Sequence, residues 1–192
     1  MERHSHFFFA VRLPEHTKLI MKDHMEEIKE RVPFSRWVHY MDLHITLAFL
    51  GSASPDKLAE ATKNVKAALI DEPALTLNIN KLGFFGSVDS PRVFWADSEE
   101  SYELKTIRQK VFSACEKAGF QLETRPFRPH ITLARKWSGA HPFDKDMLDL
   151  WNELQPNPLL FLAGDVVLYQ THLNKTPKYE AINIYPLKNS KT

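Results

Sequence analysis

His44-Ile45-Thr46-Leu47-Ala48 recurs, residue for residue, as His130-Ile131-Thr132-Leu133-Ala134. In a strand, side chains two positions apart share a face. His44 and Thr46 therefore point one way, and Ile45 and Leu47 the other; the second copy repeats the arrangement with His130 and Thr132 against Ile131 and Leu133. The aliphatic pair of each copy anchors its strand to a helix layer and leaves the polar pair facing outward. A repeated unit implies two similar half-structures. Packed about a pseudo-two-fold axis, the halves bring two histidines and two threonines to one cleft.

The segments around the repeat indicate the fold class. An apolar strand spans residues 6–12, and Pro14 opens a helix that runs to about Val32, where its missing N–H costs nothing. Pro33 and the stretch Phe34–Trp37 read as a break. The first repeat lies in a strand from Leu43 to Leu50, closed by Gly51. Ser54 caps a helix that stops before Pro73. Leu75, Leu77 and Ile79 alternate as a half-buried strand that Leu82–Phe85 extends, and Val93–Ala96 forms another. A helix covers Ser101–Ala118 with Gly119 at its C-terminus. After the second repeat come a helix over Phe143–Leu154, a strand over Leu159–Tyr169 and a strand over Tyr179–Tyr185, the last two read as a hairpin around a polar loop at 171–178. A frayed tail ends the chain. Strands and helices mix without strict β-α-β alternation, which argues for an α+β fold with antiparallel sheets.

The bulk composition narrows the function. The chain has 192 residues, 43% hydrophobic and 26% charged, as expected of an ordinary globular domain. No apolar run approaches the roughly 20 residues that span a membrane, and Phe7–Val11 is too short for a signal segment. The single cysteine, Cys115, allows no internal disulfide and suits a reducing, cytoplasmic setting. It shares a helix face with Val111 and Ala114 and reads as packing. The formal charge is +1, from 25 basic and 24 acidic residues. A protein coating long nucleic acid carries a large basic excess, so any RNA contact here involves a few phosphates, as in an end-reader.

The four repeated polar residues suit phosphodiester hydrolysis. Attack by water needs a base, and departure of an alkoxide needs an acid; histidine titrates near neutrality and can be either. Threonine hydroxyls can donate to the non-bridging oxygens where charge builds up. In-line displacement places the entering and leaving oxygens on opposite sides of phosphorus, with one histidine on each side. The residues alone do not say which histidine is acid and which is base.

The ordered motifs resemble the 2H phosphoesterase superfamily, and within it the bacterial RNA 2′,3′-cyclic phosphodiesterases also called 2′-5′ RNA ligases. The resemblance rests on the first motif from His44 to Gly51, the second from Phe127-Arg128-Pro129-His130 to Arg135, the opening Phe7–Val11, Gly83-Phe84-Phe85 and Pro91–Trp95. It covers residues 5–187. It implies a bilobal α+β fold in which a pseudo-two-fold pair of antiparallel sheets, flanked by helices, surrounds a central cleft, so that residues 1–192 make one domain of two intertwined lobes. It further implies no metal, no cofactor, no membrane and no obligate protein partner. The implied substrates are RNA ends or small nucleotides bearing a 2′,3′-cyclic phosphate, opened to 2′-phosphomonoesters. By the resemblance His44 is the general acid to the leaving oxygen and His130 the general base to water. The loop Thr171-His172-Leu173-Asn174-Lys175 departs from the family pattern and bears on substrate preference.

Further residues are candidates for binding. Arg128 and Arg135 flank the second motif within reach of a phosphate. Arg12, at the end of the first strand, reads equally as a cleft-rim contact and as a solvated charge. Phe8, Phe84 and Tyr179 are candidate platforms for a base. His4 and His6 have the spacing of a chelate, though a chance pair is the plainer reading. Three rival functions are a hydrolase of another small cyclic phosphate nucleotide, a non-catalytic nucleotide-binding module, and a metalloenzyme. Intact histidines and threonines in both motifs weigh against the binder. Two neutral ligands without an accompanying carboxylate make a poor zinc site.

Overall fold

The computed structural model describes residues 5–189; the expected frayed tail and the His4 half of the His4/His6 pair lie outside them. Nine strands and four helices alternate in the order β1 (Phe7–Arg12), α1 (Glu15–Arg31), β2 (Phe34–Trp37), β3 (His44–Gly51), α2 (Pro55–Leu69), β4 (Leu75–Gly86), β5 (Pro91–Ser98), α3 (Tyr102–Lys117), β6 (His130–Trp137), α4 (Leu150–Leu154), β7 (Leu159–Ala163), β8 (Asp165–Thr171) and β9 (Tyr179–Pro186). The strands form one antiparallel sheet ordered β7-β4-β5-β6-β3-β1-β8-β9, with β2 added to β6. Its two halves, β7-β4-β5-β6 and β3-β1-β8-β9, meet through one residue pair, Ile45 opposite Ile131. The expected pair of antiparallel sheets is thus present as two halves of a single sheet, joined where the two repeats cross.

Local chemistry explains the helices. Ser54 Oγ accepts from Lys57 N, and Ser101 Oγ from Leu104 N, capping α2 and α3. Gly119 follows α3 with φ +86°, a conformation that glycine adopts without strain. Helix α1 buries Met21, Met25 and Ile28, α2 buries Ala61, Val65 and Leu69, and α3 buries Leu104, Ile107 and Val111. These faces close over Ile45, Leu47, Ile131 and Leu133 in one core. The aliphatic members of both repeats thus anchor to the helix layer, as alternation requires. A second, smaller cluster of Phe8, Ala10, Val167 and Tyr169, with Tyr179 against it, lies apart from this core.

Three segments differ from expectation. Phe34–Trp37 is a strand, because Phe34 stacks on Phe94 with ring centroids 5.1 Å apart and the segment pairs with β6. The helix expected over Phe143–Leu154 shrinks to a 3-10 turn at Lys145–Asp149 and the short α4. Phe143 is drawn instead into an aromatic cluster with Phe84, at 5.2 Å, and Trp137, at 5.3 Å. The run from Leu159 to Tyr169 is two strands broken at Gly164: β7 pairs with β4, while β8 pairs with β1 and β9. Apolar content identifies such a run as buried strand but carries no information about its partner.

Candidate active site

The crossing of the repeats builds the site. Ile45 and Ile131 are antiparallel partners, so His44 lies alongside Thr132 and Thr46 alongside His130. The two histidines are then diagonal neighbours, which in an antiparallel pair are about 7–8 Å apart. All four polar side chains line one cleft of about 400 Å³, a volume within the range of small-ligand sites.

The same hydrogen bond holds each imidazole. His44 Nδ1 lies 2.7 Å from the carbonyl oxygen of Asp42, and His130 Nδ1 lies 2.7 Å from that of Arg128. A carbonyl only accepts, so both Nδ1 atoms carry the proton and both Nε2 atoms are left for chemistry. Thr46 Oγ1 lies 3.0 Å from His44 Nε2. Aromatic rings wall both imidazoles. Phe8 and Tyr179 lie 4.8 and 5.2 Å from His44, and Phe85 lies edge-on to His130 at 4.9 Å.

Burial among these rings penalises the charged form. His44 is pushed down to about 4, chiefly by burial, with Lys18, His130 and Lys178 adding repulsion against the opposing bond to Asp42. His130 is also lowered, again chiefly by burial, while Asp97 acts against the shift. Lowered values mean that both rings give up their proton at lower pH than a free imidazole. An anionic phosphate between them favours imidazolium and moves the values back up. We therefore expect kcat/KM, which reports the free protein, to follow a bell with its optimum below pH 6.5, the ordinary histidine value. The limbs for kcat should lie at higher pH. A kcat/KM profile flat between pH 4 and 8, or kcat limbs displaced to lower pH, would contradict this electrostatic picture.

Tyr179 is held in place from a distance. The Asp42 carboxylate is 5% exposed and accepts from Lys178 N and Tyr179 N, both at 3.0 Å. One residue thus fixes the His44 ring through its carbonyl and the aromatic wall beside it through its carboxylate. The end of β8 and the loop after it border the cleft through Thr171, Lys175, Thr176 and Lys178.

The structure separates the other sequence candidates. Phe8, Arg135 and Tyr179 line the cleft with the four repeated residues; Arg12, Arg128 and Phe84 do not. Phe8 is 4% exposed and lies beneath His44, which makes it part of the floor. Arg12 forms a two-pronged ion pair with Asp165, its Nε donating to Oδ1 at 3.0 Å and its Nη2 to Oδ2. Arg128 contributes its backbone carbonyl. Phe84 packs into the core; its neighbour Phe85 is the ring that touches His130. Sequence reasoning missed Asp42, Phe85, Phe49 and Arg36.

Phe49 and Arg135 reach the cleft by a common irregularity. Both follow their histidine by five positions, which simple alternation places on the opposite face. In β3, Phe9 faces Ala48 and Ala10 faces Thr46, so one extra residue intervenes; in β6, Phe94 faces Ala134 and Trp95 faces Thr132. This bulge in each repeat resets the alternation. The burial sequences of the first six residues of β3 and β6 are accordingly identical.

Comparison with known proteins agrees with this architecture. The family model of the 2′-5′ RNA ligase superfamily matches residues 20–175. A Geobacillus stearothermophilus protein named RNA 2′,3′-cyclic phosphodiesterase is 40% identical over 185 residues, 96% of this chain, and the chain spans 58% of that relative's length. A Bacillus subtilis protein of the same name is 32% identical over 179 residues, covering 92% of this chain and 93% of its own. The crystal structure of E. coli LigT complexed with 3′-AMP superposes with a TM-score of 0.73 at 23% identity, covering 96% of this chain and 98% of that one. A crystal structure from Thermus thermophilus gives 0.77 at 21% identity, covering 97% and 100%. These two structures share the fold.

Proposed function

This chain belongs to the 2′-5′ RNA ligase superfamily, and on that premise we propose that it hydrolyses RNA 2′,3′-cyclic phosphate ends to 2′-phosphomonoesters by two-histidine acid-base catalysis. The observation that carries the proposal is the crossing at Ile45 and Ile131, which sets two carbonyl-oriented imidazoles diagonally across one cleft.

In this mechanism His130 Nε2 takes a proton from water as its oxygen attacks phosphorus. The bond from phosphorus to the 3′-oxygen breaks, and His44 Nε2 delivers its proton to that oxygen. The phosphate stays on the 2′-oxygen. A proton returned from His130 to His44 through solvent resets the pair. Thr46 and Thr132 donate to the non-bridging oxygens. Because His44 is neutral near pH 7 in the free protein, the bound phosphate anion supplies the charge that restores its proton. We order the two roles by the family resemblance, since the near-symmetric site presents both Nε2 atoms alike. Each half of the sheet provides one histidine, so the two lobes act as one catalytic unit.

The donor set suits chemistry without a metal: among the described residues no three His, Cys, Asp or Glu side chains gather at one point. Hydrolysis of a 2′,3′-cyclic phosphate oligonucleotide, followed by phosphorus NMR in excess chelator, tests both parts. The expected outcome is an unchanged rate and a 2′-phosphate product. A chelator-sensitive rate, or a 3′-phosphate, is the opposing result.

A further inference from the structure

We propose that Asp97 is a positioning residue for the base: its carboxylate stabilises the imidazolium that His130 becomes when it takes a proton from water. The inference rests on the reaction proposed above and adds what the two Nε2 atoms lack, a difference between the histidines in this chain's own residues.

The histidines occupy equivalent places in the two repeats, yet their cross-strand partners carry opposite charge. His44 faces Arg12 of β1, and His130 faces Asp97 of β5. Directly opposed residues of an antiparallel pair share a face, with Cβ atoms about 4.5–5.5 Å apart. Arg12 is engaged by Asp165, and Lys18 and Lys178 act on His44 as further cations. Around His130 stand Asp97 from β5, Arg135 on its own strand, His44 from β3 and Arg36 from β2, with Lys81 of β4 against Asp97. Asp97 is the one carboxylate of that set. A carboxylate beside an imidazole favours its charged form, and a cation favours loss of the proton. A base needs the first as the transition state forms, and an acid needs the second.

The sheet holds Asp97 ready for this role. Its side chain is 19% exposed and lies outside the cleft lining, so it acts through His130. Burial pushes its carboxyl up, and Lys81 Nζ, 3.5 Å from Oδ2, opposes that shift in favour of the ionised form. Lys81 reaches it because the register slips between Ile79 and Leu82, so that Asn80 and Lys81 together stand against Asp97. Such bulges re-aim side chains next to active sites.

Proton NMR titration of the histidine Cε1–H signals, in the protein without ligand, reads the effect apart from turnover. Asp97→Asn should move the His130 midpoint to lower pH and leave that of His44 nearly in place. Asp97→Ser, which removes the charge without adding an amide donor, should do the same, and Asp97→Glu should recover most of the displacement. On a 2′,3′-cyclic phosphate, Asp97→Asn should lower kcat about three- to tenfold at each protein's own optimum pH, with little change in KM, because the imidazolium forms during the reaction. An unmoved His130 midpoint in asparagine and serine variants of parental melting temperature overturns the proposal, as does a parental kcat alongside a displaced midpoint. Absence of cyclic phosphate hydrolysis in the unaltered protein counts instead against the reaction, and the titration still decides what Asp97 does to His130.

Discussion

Replacing His130 or His44 by alanine should lower kcat on a 2′,3′-cyclic phosphate by about 10²–10⁴-fold each, the range for loss of one proton-transfer group. The two imidazoles act in one displacement. Once water has no base, the acid has no charge to neutralise, and the reverse holds as well. The double variant should therefore fall far short of the product of the two single losses. Each histidine shares its strand with buried aliphatic anchors, Ile45 and Leu47 or Ile131 and Leu133, so circular dichroism should remain native. Single-turnover rates at several pH values make the test specific, because each variant should lose one limb of the bell. A variant within tenfold of the parent rate would remove that histidine from the mechanism.

The threonines carry the next largest effect. Thr132→Val should cost roughly 2–4 kcal/mol of transition-state stabilisation, the scale of one lost donor to a developing phosphoryl charge. Thr46→Val should cost at least as much, because its hydroxyl also meets His44 Nε2 at 3.0 Å. The loss should appear in kcat with little change in KM, since the charge being stabilised grows during the reaction. Serine at either position keeps the hydroxyl and should recover most of the rate. Parent kinetics in both valine variants would mean that the hydroxyls do not contact the reacting phosphate.

The repeat was legible because everything that makes it informative is local. Strand alternation sorts His44 and Thr46 from Ile45 and Leu47 without knowledge of the partner strand, and duplication implies the crossing. What was not legible depends on irregularity or on distance along the chain. One inserted residue in each repeat turns Phe49 and Arg135 into the cleft; Arg135 stood out as a charge beside the motif, whereas no residue type announces the bulge that brings in Phe49. Phe84 and Phe85 are chemically alike; only the registry of β4 against β5 decides which of them faces His130. Arg12 looks available at a strand end until Asp165, from a strand late in the chain, takes it. Asp42 is one carboxylate among many in the sequence, and its partners Lys178 and Tyr179 come from the far end of the chain. The same limit explains why the apolar run Leu159–Tyr169 read as one strand: the sheet positions of β7 and β8 follow from closure of the whole fold.

The bond from Asp42 to the start of β9 has a consequence for how the protein comes into being. The first histidine is translated long before the ring beside it, since Asp42 and Tyr179 lie 137 residues apart in sequence. A nascent chain that already displays both imidazoles still lacks that wall, so competence to turn over substrate should switch on only once synthesis has passed Tyr179. Messages truncated ahead of Tyr179 should consequently yield products that leave RNA ends untouched.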